Sequence, residues 1–231
     1  MKKRLCLLTL CLMCVFSFNV NAQQGKWAGT VKYQLTWTGG SVGAGLPAES
    51  EVKIFENKTK YVDMRLGATV LTDAEKKTVT MMFDFSQIPI EDVAGKWFVK
   101  DKLEDSVISK FQYNFTGNTK QIANKNAKEV VVTYDNNGVQ ESETLWVSDE
   151  LGPVIDISNY PGLKALPLEY KMEFGEDVSC TFTAVEFIEG KVKRTDVLLE
   201  SDYDELTMEE FQEKMNVLME AIGGDSSDDD I

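Results

Sequence analysis

The chain has 231 residues, 24 Lys plus Arg against 38 Asp plus Glu, a formal net charge of −14, and no histidine. A surface that acidic repels nucleic acid and anionic headgroups, which excludes nonspecific polyanion binding. Without histidine there is no proton shuttle with an ordinary pKa near neutrality and no imidazole metal ligand, so histidine-based triads, histidine zinc sites and histidine-ligated haem are excluded too.

The chain opens on Lys2, Lys3 and Arg4, an apolar run from Leu5 to Phe18, and Val20-Asn21-Ala22, the three parts of a cleavable export signal. Cleavage after Ala22 is expected, because an apolar run of about 14 residues is short of the ~20 that span a bilayer. Met13 before Cys14 does not supply the small residue of a lipoprotein signal. The expectation is a free protein of the periplasm, with secretion or loose association with the outer membrane as alternatives, and no membrane-spanning segment. Residues 1–22 read as the signal, 23–224 as a single domain and 225–231 as an acidic disordered tail. Cleavage removes Cys6, Cys11 and Cys14, leaving Cys180 with no disulfide partner. A chain of this size can be held by burial alone, hiding roughly 70% of its unfolded surface.

From Trp27 to Trp37, Val31, Tyr33, Leu35 and Trp37 alternate with Lys32, Gln34 and Thr36, which predicts a half-buried strand. Gly39 to Gly45 predicts a loop. Val52, Ile54 and Glu56 begin a second strand, Asn57-Lys58 turns the chain, and Lys60 to Leu66 is a third strand with Val62, Met64 and Leu66 on one side and Tyr61, Asp63 and Arg65 on the other. Ala68–Thr72 and Thr78–Phe85 flank a polar turn as a further hairpin, which Pro89 ends. Between Ile90 and Phe111 the pattern loosens, with a short helix over Leu103–Ser109. Lys120–Tyr134 and Gln140–Ser148 flank Asn137-Gly138, the strongest hairpin signal in the chain.

Asp149 to Leu168 spaces Pro153, Pro161 and Pro167 among large apolar residues and reads as a flap lying over an apolar surface, unfit for a central strand. Glu169–Phe174 and Val178–Ile188 return to strand patterning, with Cys180 on the parity of Val178 and Phe182 as a buried, inert thiol. Thr207-Met208-Glu209-Glu210 is a capping box. The helix it opens aligns Phe211, Met215, Leu218 and Ile222 on one stripe. Successive hairpins favour one antiparallel sheet. The expected class is mainly β (α+β): a curved antiparallel sheet or half-barrel covered by a C-terminal helix and a proline-rich flap.

Chemistry is harder to find. Glu49 with Glu51, and Asp149 with Glu150, can be written as acid–base pairs, but a hydrolase needs its carboxylates a defined distance apart across a cleft. The glycines of 39–45 are not followed by the Lys and Ser or Thr of a phosphate loop. Asn57-Lys58-Thr59 and Asn114-Phe115-Thr116 match the glycosylation acceptor pattern but read first as turn and strand residues. Met81-Met82 and the helix methionines read as core filler. The richest feature is aromatic and aliphatic area, more than one helix and a flap obviously cover, and a partly covered sheet can leave an apolar groove for an acyl chain.

Several stretches together resemble DUF4412, a domain-of-unknown-function family found in exported proteins of Bacteroidetes: Gly29-Thr30-Val31-Lys32-Tyr33, Ile122 to Glu129, Thr144 to Ser148, Tyr160 to Tyr170, and Thr207 to Phe211. Tyr160–Tyr170 is also similar to the GLPGLI group of exported proteins. The resemblance covers about Gly25 to Ile222 and implies a relation to the periplasmic lipoprotein carriers LolA and LolB, whose half-barrel closes on helices around an apolar cavity. Family members commonly have Gly and Cys where this chain has Asn124 and Ala127. The resemblance brings no catalytic residues, and function does not follow from fold.

Two functions compete. The first is a noncatalytic envelope protein that binds a hydrophobic ligand, lipid or an acylated segment, through the sheet aromatics Tyr33, Trp37, Phe83 and Trp146, with Tyr160, Leu163 and Leu166 as cover and Phe211 and Met215 from the helix. The second is a structural or protein–protein interaction module with a filled core, docking on another envelope protein by a strand edge or its acidic face. Neither requires a cofactor or a metal.

Overall fold

The alternation that starts at Val31 runs the whole length of the first strand, β1 (Ala28–Gly39), with Val31, Tyr33 and Leu35 buried and Gln34 and Thr36 exposed. The computed structural model describes residues 27–39, 45–136, 138–150, 159–175 and 177–223, the last two positions by their backbone alone. The expected signal with its three cysteines, most of the glycine loop, Asn137, Gly152-Pro153, Glu176, the Ile222 side chain and the acidic tail lie outside the described residues.

The chain continues through β2 (Glu49–Phe55), β3 (Lys58–Asp63), β4 (Ala68–Asp73), β5 (Thr78–Asp84), β6 (Lys96–Lys102), a single-turn helix α1 (Asp105–Ile108), β7 (Phe111–Ile122), β8 (Lys125–Asn136) and β9 (Val139–Ser148). Then come β10 (Leu166–Glu173), β11 (Val178–Glu189), a 3-10 turn (Arg194–Val197), β12 (Asp204–Glu205) and α2 (Met208–Gly223). All twelve strands form one curved sheet in the order β12-β6-β5-β4-β3-β2-β1-β11-β10-β9-β8-β7. Neighbours are antiparallel except the short parallel pair β12–β6. The sheet is open: β7 and β12 are its edges. Bulges in the β1–β11, β10–β9 and β7–β8 ladders add local bend and twist.

Four expectations change. Glu56 is not a strand residue: it turns the chain at φ 56° between β2 and β3. The third strand is Lys58–Asp63, not Lys60–Leu66: it keeps Tyr61 and Asp63 opposite Val62 as read, and pairing of Tyr61 with Val52 and Val70 puts Tyr61 and Asp63 on the face of the buried apolar residues, while Val62, and Leu66 in the turn that follows, are about half exposed. Asp63 earns its burial by accepting from the Arg65 and Leu66 amides at 2.9 and 3.4 Å and from the Arg65 guanidinium at 2.9 Å. Lys120–Tyr134 is two strands, not one, because Ala123 and Asn124 both adopt left-handed backbone (φ 48° and 63°), the pattern of a two-residue hairpin turn. The loose stretch after Ile90 hides β6, whose Trp97-Phe98-Val99 is apolar on both faces and therefore shows no alternation.

The proline-rich stretch is divided. The turn at Tyr160–Leu163 does lie over the sheet, packing on Val130, Val132, Leu145 and Val147 of β8 and β9. Leu166-Pro167-Leu168, expected as flap, is instead the start of β10, flanked by β9 and β11. Proline is tolerated there because the β10–β9 register shifts between Pro167 and Glu169, at a bulge where a missing donor breaks no regular ladder.

At the other end the capping box forms as read: Glu210 Oε2 accepts from the Thr207 amide at 2.8 Å, and Thr207 Oγ1 accepts from the Glu210 amide at 3.2 Å. Phe211, Met215 and Leu218 then meet Ala68, Phe83, Trp97 and Val99 on one face of β4–β6. No helix among the described residues is long and apolar enough to cross a membrane. Thr207→Ala is expected to destabilise the fold by about 1 kcal/mol, with hydrogen exchange accelerating first at the amides of 208–211; unchanged protection there would show that packing alone holds the helix start.

Candidate functional site

The residues expected to bind a ligand are distributed over three apolar clusters. Tyr33 and Leu166 belong to the central one, with Trp37 and Trp146 at its margin. Tyr33 stands edge-on to Tyr170 and Phe182 (6.0 and 6.5 Å), which stack on each other at 4.8 Å, and its hydroxyl donates to the Pro167 carbonyl at 2.7 Å. Trp37 packs on Phe174 and donates from Nε1 to the Pro47 carbonyl at 2.8 Å. Trp146 carries the Lys120 ammonium 4.2 Å above its ring, and that ammonium also meets Glu169 at 2.7 Å. Tyr160 and Leu163 form the second cluster with β8 and β9.

Phe83, Phe211 and Met215 form the third beneath α2, Phe83 lying 4.9 Å from Phe211 and 6.2 Å from Trp97. Here Trp97 is 3% exposed, yet its Nε1 donor has no acceptor among the described residues. In the central cluster, a mainly apolar space between Tyr33, Val52, Thr59, Tyr61, Leu166, Pro167 and Tyr170 has a volume of about 30 Å³, room for a water but not for an acyl chain.

Larger hollows are open and mixed in polarity. One of about 710 Å³ runs past Arg65, Phe111, Tyr134, Glu141, Glu143, Asn159, Tyr160, Lys171 and Glu173. Phe111 and Tyr134 stack at 5.3 Å. Glu141 accepts from the Tyr134 hydroxyl at 2.9 Å, Glu143 faces the Tyr160 hydroxyl at 3.4 Å, Arg65 donates to Asn159 Oδ1 at 2.9 Å, and Lys171 pairs with Glu173 at 2.7 Å. Burial pushes the Glu143 carboxyl above its ordinary value against the opposing Tyr160 hydrogen bond, and Glu141 and Glu173 add to the rise. Burial and the adjacent glutamates push the Tyr134 hydroxyl up to about 12. The sequence pairs Glu49–Glu51 and Asp149–Glu150 are elsewhere, with Glu51, Asp149 and Glu150 in ion pairs with Lys53, Lys128 and Lys125 respectively. Glu141 and Glu143 escaped the sequence reading although their signal was present: they share the parity of Leu145 in β9, so the strand's inward face changes from apolar to acidic toward its start. Among the described residues no group of His, Cys, Asp or Glu is arranged to hold a metal ion.

Cys180 is fully buried in β11, and burial pushes its thiol up to about 11, against a hydrogen bond from the Thr36 backbone. The native thiol is therefore neutral and shielded. In protein lacking residues 1–22, a thiol reagent at pH 8 is expected to leave the folded chain unmodified and to label Cys180 at once in denaturant; labelling at equal rates would show that β11 opens locally. Because the folded value lies above the ordinary 9.0, the associated stability is complete below pH 9 and is lost as pH rises through about 11.

No family model and no curated protein matches the chain. Among solved structures, PNGF-II in space group P21 superposes with a TM-score of 0.52 and 14% identity, over 81% of this chain and 33% of that one. PNGF-II in space group C2 gives 0.54 and 13%, over 82% and 32%. The chain thus spans about a third of the length of the structures it matches, and at this identity the likeness is one of fold alone. The DUF4412 resemblance, with its LolA/LolB relation, rests on the residues quoted for it.

Proposed function

We propose that the chain is a noncatalytic module of the cell envelope that works by binding through the surface of a filled, rigid sheet. The observation that supports this is the packing of five of the residues expected to bind a ligand: Tyr33, Phe83, Tyr160, Leu163 and Leu166 are at most 3% exposed, and the space among the central ones is about 30 Å³. Residues so packed are committed to stability, and recognition passes to the faces and edges of the sheet. Of the two edges β7 is long and β12 has two residues, so β7 is the edge open to a partner strand, although the bulge between Phe115 and Thr119 limits how far pairing could run. In this reading the protein is exported to the periplasm, as its start suggests, and the DUF4412 likeness agrees with a role among envelope proteins.

One observation favours the second reading, a hydrophobic ligand held inside. The Trp97 indole N–H is buried without an acceptor among the described residues, beside Phe83, Phe85 and Phe211, under a helix that meets the sheet by one stripe. A buried donor left unpaired costs about 1–3 kcal/mol, and a lipid carbonyl entering beneath α2 would satisfy it. Native mass spectrometry of protein taken from envelope extracts without detergent, followed by solvent extraction, separates the two. No acyl lipid whose release alters exchange in α2 is expected; a near-stoichiometric acyl lipid, released together with accelerated exchange in α2, would overturn the filled core.

A further inference from the structure

The face of β3–β6 turned away from α2 carries a different set of residues. Strand alternation puts Phe83, Trp97 and Val99 under the helix and Met82 and Phe98 on the opposite face, where they form a separate small cluster with Leu71 and Tyr203. On that face, cross-strand pairing aligns Lys60, Leu71, Thr80 and Lys100 in one row and Lys58, Asp73, Thr78 and Lys102 in the next. The end of the 3-10 turn and the residues that follow it lie beside this face, so that Val197, Leu198 and Leu199 line a groove of about 380 Å³ together with Leu71 and Phe98. This volume lies within the range of small-molecule sites, roughly 300–1,000 Å³.

The groove reverses the charge of the molecule. Its lining holds Lys58, Lys76 and Lys100 against Asp73 and Glu205, whereas the whole chain has 24 basic and 38 acidic residues. Asp73 is already engaged by the Lys58 ammonium and the Lys76 amide. Burial raises its carboxyl, but these contacts together hold it below the ordinary value. Lys60, beside the groove, is paired with Glu200. Lys76 and Lys100 make no ion pair among the described residues. On the other wall Leu198 and Leu199 are 38% and 39% exposed, two neighbouring leucines presenting apolar surface beside those ammonium groups.

We propose that this groove binds an amphipathic carboxylate, the head group held by Lys76 and Lys100 and the hydrocarbon tail lying along Leu71, Phe98, Leu198 and Leu199. Charge complementarity selects the occupant. A neutral alkyl chain would gain nothing from the ammonium groups, and a hydrophilic anion would leave the leucines wet. The proposal rests on the reading that the chain binds through its surface, and it gives that surface a ligand class.

The test is calorimetric titration of the full chain with sodium laurate below its micelle concentration, with acetate and dodecyltrimethylammonium as comparison probes. Laurate is expected to saturate one site, and both comparison probes to bind at least tenfold more weakly. Reversing both lysines (Lys76→Glu with Lys100→Glu) should weaken laurate at least tenfold, and Leu198→Asp should do the same from the tail side. Lys164→Glu, an exposed lysine elsewhere on the chain, should leave it within twofold. All three sets of substitutions fall on exposed side chains, so folding, checked by circular dichroism, should persist. Absent laurate binding, equal binding of the cationic probe, or affinity unchanged by the double reversal would each overturn the proposal. Failure of the titration removes the groove and leaves the filled core standing, whereas lipid extracted from the doubly reversed variant removes the filled core.

Discussion

Phe83→Ala is expected to lower the free energy of unfolding by about 3–5 kcal/mol, the range for deleting a large aromatic ring from a core. Phe83 is 3% exposed, and its ring meets Phe85, Trp97 and Phe211 at 5.9, 6.2 and 4.9 Å. It therefore joins β5, β6 and α2 in one aromatic cluster. Removing it leaves a void that a helix anchored by one stripe can close only by shifting, so the exchange protection of α2 should fall with the urea midpoint. Met219→Ala, on the same helix but 65% exposed, is expected to stay within about ±0.5 kcal/mol of the parent. A loss under about 1 kcal/mol at Phe83 would mean that the cluster beneath α2 is loosely filled, which would strengthen the reading of an internal ligand.

Tyr33→Ala should be comparably damaging, about 3–5 kcal/mol, while Tyr33→Phe should cost about 1 kcal/mol. The difference separates two roles of one side chain. The ring packs edge-on against Tyr170 and Phe182 at the centre of the sheet, and the hydroxyl donates at 2.7 Å to the Pro167 carbonyl at the β10 bulge. Phenylalanine retains the ring and leaves that buried carbonyl without its tyrosine donor. Equal stability of Tyr33→Phe and the parent, by urea titration, would show that water replaces the hydroxyl and that the bulge holds itself.

Much of the local structure was legible. Strand β1, the hairpin β4–β5 and the β8–β9 hairpin follow from alternation and turn residues within a few positions of each other. The capping box and the stripe Phe211, Met215, Leu218 follow from helical spacing in the same way. Strand β6 escaped because Trp97, Phe98 and Val99 face apolar neighbours on both sides, which erases the period-two signal. The break at Ala123-Asn124 escaped because neither residue is glycine, yet both hold left-handed backbone. Pro167 misled because its exclusion from strands has an exception at bulges, and a bulge is a property of two paired strands.

What the amino-acid order determined by itself is therefore what short-range physics controls. The acidic balance and the absence of histidine exclude whole classes of chemistry; alternation makes the strands; the turn and cap residues end them. Only the tertiary structure decided which strands meet, and with that the functional surfaces. Placing β1 beside β11 sends Tyr33 into the central cluster with Tyr170 and Phe182. Pairing β3 with β2 and β4 turns Asp63 inward and Val62 out. Bringing Val197–Leu199 beside the β3–β6 face encloses one groove with Lys58, Lys76 and Lys100, although these lysines are spread over more than forty positions of sequence. The side chains of a strand have two faces to choose from, and partners distant in the chain settle which face is buried and which is left for a ligand.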